Sequence, residues 1–138
     1  MVDMSSKCCL FIDNDIRNRN VFSDAMEYIS PTTFCFMAST ASEALFMLLE
    51  ERLVPSYIFV ELNIPGMSGK EFLKEIKQHE TLKDIAVIIH CTSPRPNEIL
   101  ELKELGAHAI YFRPYQFNGI CNMLTLYFTD QMAGILPN

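Results

Sequence analysis

Four short stretches of this 138-residue chain hold side chains that could act together on a charged ligand. They are Asp13-Asn14-Asp15, Glu61 with the loop Leu62-Asn63-Ile64-Pro65-Gly66-Met67-Ser68-Gly69 behind it, Cys91-Thr92-Ser93, and Arg113-Pro114. Carboxylates are what a hard cation needs in exchange for its water. An arginine fork holds a carboxylate or phosphoryl group through paired N–H donors. Two acidic stretches, a small polar one and a basic one therefore suit a cation together with a phosphate, provided folding gathers them. Other chemistries fare worse. No Ser or Cys is paired with a positioned His, as a hydrolytic nucleophile requires. Nor does Asp13-Asn14-Asp15 suit the phosphate of a flavin or nucleotide, which wants Gly, Ser or Thr rather than anion-repelling carboxylates.

The elements that must position these residues are five continuous apolar runs: Cys8-Cys9-Leu10-Phe11-Ile12, Phe34-Cys35-Phe36-Met37, Tyr57-Ile58-Phe59-Val60, Ile85-Ala86-Val87-Ile88-Ile89 and Ala109-Ile110-Tyr111-Phe112. Continuous rather than alternating runs predict strands covered on both faces, as in a parallel sheet. Their starts lie 26, 23, 28 and 24 residues apart, room for one helix in each interval. The intervals supply those helices. Val21, Phe22, Ala25, Met26 and Ile29 make a stripe that Ser30-Pro31 stops. Thr40-Ala41-Ser42-Glu43 predicts a capping box for the second helix, and Phe72, Leu73 and Ile76 the apolar face of the third. The fourth starts near Pro96 and stops at Gly106, and the fifth carries Phe117, Ile120, Cys121, Leu124 and Phe128. The pattern is α/β, (βα)5, and right-handed crossovers predict a doubly wound three-layer sandwich around a five-stranded parallel sheet. In such sheets ligands bind beyond the carboxyl ends of the strands, which is where the four stretches fall.

Composition narrows the partners. With 49% apolar residues the chain can build a core unaided, and residues 1–138 are expected to form one domain with its core over about 7–128. The net charge of -6 and scattered basic residues argue against nucleic acid. No apolar run approaches a membrane span and the N-terminus lacks a secretory pattern, so neither membrane nor export is expected. Five cysteines without a CxxC pair fit reduced thiols in cytoplasm.

Phe59-Val60-Glu61-Leu62-Asn63-Ile64-Pro65-Gly66-Met67-Ser68-Gly69, together with Leu105-Gly106-Ala107 and Tyr111-Phe112-Arg113-Pro114, resembles the receiver domain of two-component response regulators. The resemblance runs from about Lys7 to about Phe128 and implies a flavodoxin-like sheet of order 2-1-3-4-5. It implies phosphoryl transfer onto an Asp, with Mg2+ held by an acidic pair, the acceptor and a backbone carbonyl, and with a hydroxyl residue and a Lys on the phosphoryl oxygens. Position by position the match is partial. Asp13 keeps the first acid, Asn14 replaces the second, and Asn63 completes the metal-site positions. Glu61 stands at the phosphoacceptor. Cys91, fifteen residues before Gly106, takes the hydroxyl place, with Thr92 next to it. Arg113 stands for the Lys, and Ile110 for the aromatic switch. Pro65, Gly69, Gly106 and Pro114 are the scaffold residues of the pattern.

Glu in place of Asp carries its charge about 1.5 Å further out, a shift that damages a reaction dependent on positioning. Glu61 is then either an ionised surface carboxylate at a degenerate site or a mimic of the phosphorylated state. Losing a charge at Asn14 leaves Mg2+ binding weak at best, so no cofactor or bound metal is expected. A Glu61–Arg113 pair is expected across the phosphoryl position, its gross attraction about 4 kcal/mol at 4 Å before desolvation. Asp15 reads as a helix N-cap. Cys91, like Cys8 and Cys9, reads as a small apolar filler at a buried strand. His90 lies beside the site, but no second His or Cys at ligand spacing makes it a metal ligand. Tyr111, Tyr115 and Tyr127 suit an interface. The resemblance implies output through the face of the fourth helix, fifth strand and fifth helix, to a histidine kinase, a downstream signalling protein or a second copy. The expected function is thus a stand-alone, non-enzymatic receiver-like module of two-component signalling that works by protein contact. The alternative is a phosphorelay receiver that still accepts a phosphoryl group at Glu61 or a nearby acid. In that reading nothing is appended to the domain.

Overall fold

The five apolar runs become the five strands. A computed structural model describes residues 7–112 and 116–128. In chain order it comprises β1 (Cys8–Ile12), α1 (Ile16–Ile29), β2 (Phe34–Ala38), α2 (Ala41–Leu49), β3 (Tyr57–Glu61), α3 (Gly69–Lys77), β4 (Ala86–Cys91), α4 (Pro96–Glu104), β5 (Ala109–Phe112) and α5 (Phe117–Thr125). The strands form one sheet of order β2-β1-β3-β4-β5, and every neighbouring pair is parallel. This is the doubly wound three-layer arrangement expected of alternating strands and helices.

Alternation along the strands sends successive side chains to opposite faces. Leu10, Ile12, Ile58, Val60, Val87, Ile89 and Cys91 pack with α2, α3 and α4 residues such as Leu48, Phe72, Ile76 and Leu102. Cys9, Phe11, Phe59 and Ile88 face the other way, onto Phe22 and Met26 of α1 and Ile120 and Leu124 of α5. The three central strands are thereby covered on both sides. The outer strands depart from the sequence expectation. In β2, Phe34 is 68% exposed and Phe36 also lies open, while Cys35 and Met37 pack inward. In β5, Phe112 is 65% exposed. Both are edge strands, with a neighbour on one side only, and an apolar run cannot report that position.

The helix ends follow their capping residues, with one shift. Asp15 caps α1 by accepting the Arg17 N–H at 2.9 Å, as its place in sequence suggested. Thr40 Oγ1 accepts the Glu43 N–H at 3.0 Å, but the Glu43 carboxylate accepts from the Ser39 N–H at 2.7 Å instead of closing the box on Thr40. The reciprocal box forms at α3, between Ser68 and Glu71. Pro96 opens α4, and Gly106 follows its end at φ +103°.

The loop between β3 and α3 is fixed at Gly69. Its N–H donates to the Leu62 carbonyl at 2.9 Å. A Cβ here would stand 2.6 Å from the Glu61 carbonyl oxygen and 2.8 Å from Leu62 Cα, so only glycine lets the helix start so close to the strand end.

Candidate active-site pocket

At the carboxyl edge of the sheet, three side chains converge on its α1/α5 side. Asp13 is the first residue beyond β1, Glu61 the last of β3, and His90 the next-to-last of β4. Glu61 and His90 are direct partners in the parallel register, and the β1–β3 pairing of Ile12 with Val60 leads straight on to Asp13 and Glu61. All three are buried, at 1%, 7% and 3% exposure. His90 Nδ1 lies 3.8 Å from Glu61 Oε1 and 3.9 Å from Asp13 Oδ2, and one donor atom from each residue falls within 4.8 Å of the others.

Each member is oriented by its neighbours. Asp13 Oδ1 accepts the Asp15 N–H at 2.8 Å, and Oδ2 accepts from Asn18 Nδ2 at 3.2 Å. The Asp13 carbonyl accepts from Arg19 at 2.6 Å. Glu61 Oε2 accepts the Asn63 N–H at 3.0 Å, which leaves Oε1 turned toward the imidazole. The imidazole stacks on Phe11 with centroids 4.9 Å apart and planes at 6°, and Phe11 stacks in turn on Phe22 at 4.0 Å. Two buried carboxylates side by side are costly unless a positive group offsets them. Glu61 is accordingly no surface carboxylate.

The other sequence candidates scatter around this cluster. Asn14, Asn63 and Thr92 are exposed. Cys91 points to the opposite face, fully buried in the α2/α3/α4 core, and its thiol donates to the Tyr111 carbonyl at 3.7 Å. Ile110 is half-buried against that core. Arg113, Pro114 and Tyr115 lie outside the described residues, and with them the expected Glu61–Arg113 pair. His90 is the member that spacing along the chain did not reveal. Its link to Glu61 is a lateral one, visible only once the β3–β4 register is laid out.

Tyr127 and Tyr111 make a second polar contact near α5, hydroxyl to hydroxyl at 2.9 Å. Burial, then that hydrogen bond, raises the Tyr127 phenol above its ordinary value of 10. At the start of α4, the Arg95 backbone N–H and then its side chain hold the half-buried Glu98 carboxyl below its ordinary value.

A flavodoxin-like sheet with a buried acidic pocket at its carboxyl edge defines a receiver-type domain. The particular family follows from comparison: the chain belongs to the response regulator receiver domain family, whose model matches residues 9–125. It is 33% identical over 92 residues to sporulation initiation phosphotransferase F of Bacillus subtilis (strain 168), across 67% of this chain and 71% of that protein. It is 38% identical over 64 residues to the two-component response regulator ORR6 of Oryza sativa subsp. japonica, 45% of this chain but only 38% of the relative. In three dimensions it is similar to the Mn(2+)-bound form of response regulator Rcp1, with TM-score 0.82, 20% identity, and 90% and 96% of the two chains covered. That last likeness speaks for the fold.

The chain is thus a receiver of two-component signalling, a class of signalling module that works with histidine kinases and downstream proteins. Among the described residues no helix is long and apolar enough to cross a membrane. Receivers bind Mg2+ weakly at their acidic pocket, and Asp13, Glu61 and His90 form a buried cluster of potential ligands at the carboxyl edge here. The donor set fits Mg2+ poorly. Magnesium demands an octahedron of oxygen, yet Asn14 beside Asp13 is an exposed amide, and the third donor facing the carboxylates is an imidazole nitrogen.

Proposed function

We propose that this receiver signals by protein contact and is not phosphorylated in the ordinary way. Asp13, Asn14, Glu61, Asn63, Cys91, Thr92, Ile110 and Arg113 are read as its counterparts of the pocket, acceptor and switch positions. The observation that carries the proposal is the state of Glu61. Its carboxylate is buried, one oxygen accepts the Asn63 N–H, and the other faces His90. A nucleophile for phosphoryl transfer needs an open line of approach for the donor. Glu61 instead occupies the pocket with its own charge, in keeping with a carboxylate that stands in for a charged state.

The contact surface in this reading is the α4–β5–α5 face, and the partner is a histidine kinase or a downstream signalling protein. Leu100 on α4, Phe112 on β5 and Leu126 after α5 all expose large apolar side chains. Exposed apolar side chains that share one face mark docking sites, and in this reading these three share the α4–β5–α5 face. A second copy of the chain is the competing occupant.

The test is incubation with Mg2+ and a small phosphodonor, read by intact mass. No gain is expected for the wild-type chain. A stable gain of one phosphoryl mass that disappears in Glu61→Gln would establish the phosphorelay alternative instead.

A further inference from the structure

The mismatch between the pocket and magnesium points to a different ion. We propose that Asp13 Oδ2, Glu61 Oε1 and His90 Nδ1 form a binding site for a borderline divalent transition ion, such as Co2+ or Zn2+, in preference to Mg2+.

The first argument is donor type. Imidazole suits zinc, nickel, copper and iron, and affinities across the late first row exceed those for hard ions at sites containing nitrogen. Two carboxylates and one imidazole also leave a fourth position open to water, the ligand count of an open tetrahedral site.

The second argument is spacing. An ion about 2.1 Å from each donor needs those donors about 3.4 Å apart in a tetrahedron. The two separations to His90, 3.8 and 3.9 Å, need to close by about half an ångström, and the carboxylate pair, within 4.8 Å, has to draw together by side-chain rotation as well.

The third argument is orientation by outer groups, which metal sites require of their ligands. Asp15 N–H and Asn63 N–H hold Asp13 Oδ1 and Glu61 Oε2, and the Asn18 amide donates to Asp13 Oδ2 at 3.2 Å, so the two oxygens that face the imidazole are both set in place by neighbouring groups. Phe11 sets the ring plane of His90 by stacking. All three donors are buried, so an ion gathered there displaces little solvent.

This inference goes beyond protein contact as the mode of signalling, and its failure is separable from the failure of that reading. Phosphoryl transfer is read by mass with Mg2+; the metal site is read by binding, with no phosphodonor present.

Co2+ is the probe, because five cysteines give Zn2+ competing thiol sites. Titration of the full chain is followed by calorimetry and by the visible absorbance of low-symmetry Co2+. The expected result is Co2+ binding at least about tenfold tighter than Mg2+, with His90→Gln removing about tenfold or more of it. Glu61→Gln provides a second variant that keeps the His90–Phe11 stack, and it too should weaken Co2+. His79→Gln, on the α3 side and bonded to Glu75, should bind Co2+ as the wild type does. Equal affinity for the two ions overturns the proposal. So does Co2+ binding that survives both His90→Gln and Glu61→Gln, or that is lost in His79→Gln.

Discussion

Replacing Gly69 by Ala tests how tightly the β3–α3 loop holds the pocket. The new Cβ would stand 2.6 Å from the Glu61 carbonyl oxygen and 2.8 Å from Leu62 Cα, both backbone atoms that cannot swing aside. Relief requires the start of α3 and the end of β3 to separate, stretching the 2.9 Å bond from the Gly69 N–H to the Leu62 carbonyl. Overpacking of this kind costs about 1–3 kcal/mol. Against it, Gly→Ala restricts the unfolded chain and returns about 0.4–1 kcal/mol. The two ranges net to about 0–2.6 kcal/mol, and contacts this short with backbone atoms put the expected loss at about 1–2 kcal/mol within that span. With an unfolding entropy of about 0.3 kcal/mol/K for a chain of this length, Tm should fall by about 3–7 °C. Gly66 is the control, for it has φ +81° and nothing within 4 Å of a built Cβ. Gly66→Ala meets only the dihedral cost of about 1–2 kcal/mol, offset in the same way. The discriminating assay is calorimetric melting joined to amide NMR. Gly69→Ala should move the Leu62, Asn63 and His90 signals, and Gly66→Ala should leave His90 in place. A Gly69→Ala melt within about 1 °C of wild type, with an unmoved His90, would refute the steric argument.

Phe11→Ala should cost about 3–5 kcal/mol in urea denaturation, because it removes a ring stacked on both Phe22 and His90. Tyr127 has its phenol raised in the folded state, so its contribution is fully present below pH 10 and is lost as pH rises through the raised value. With five tyrosines and no tryptophan, titration at 295 nm should show one late-ionising phenol that Tyr127→Phe removes, at a cost of about 1 kcal/mol. Glu98 is shifted the other way, so its contribution holds above the ordinary carboxylate value and fades as pH falls through the lowered one; the carboxyl carbon of Glu98, followed by NMR, should titrate late on acidification. Leu100→Glu and Phe112→Glu should leave stability within about 0.5 kcal/mol while abolishing capture of the partner in a binding assay.

The sequence carried the elements well because their signals are local. Continuous apolar runs gave β1, β3 and β4 to within a residue or two, and stripes at helical spacing gave the five helices. What failed depends on neighbours in space. Nothing in Phe34-Cys35-Phe36-Met37 says that the strand lies at an edge, where one of its faces stays open. The Thr40–Glu43 box shifted because the Glu43 carboxylate accepts from both the Ser39 N–H and the Ser39 hydroxyl instead. In the pocket, Asp13 and Glu61 were legible as acids at strand ends, and Asp15 as a cap. His90 was legible only as a lone histidine, since its meaning comes from standing beside Glu61 across two strands joined in parallel. Cys91, read as apolar filler, is that, because one step further along β4 turns a side chain to the opposite face.

The division of the core between two faces has a consequence for synthesis of the chain. By the time β4 is complete at Cys91, the α2/α3/α4 side has most of its partners, lacking α4 and the residues Leu105, Ala107 and Ile110 that follow it. The opposite side waits for Ile120, Cys121, Met123, Leu124 and Phe128, up to 37 residues later. At about 5–20 residues per second that interval lasts roughly 2–7 s. Throughout it the nascent domain has Phe59, Ile88 and the inner flank of α1 only half-roofed, a sticky surface during translation. The side stays open until α5, the last of the described helices, packs against it.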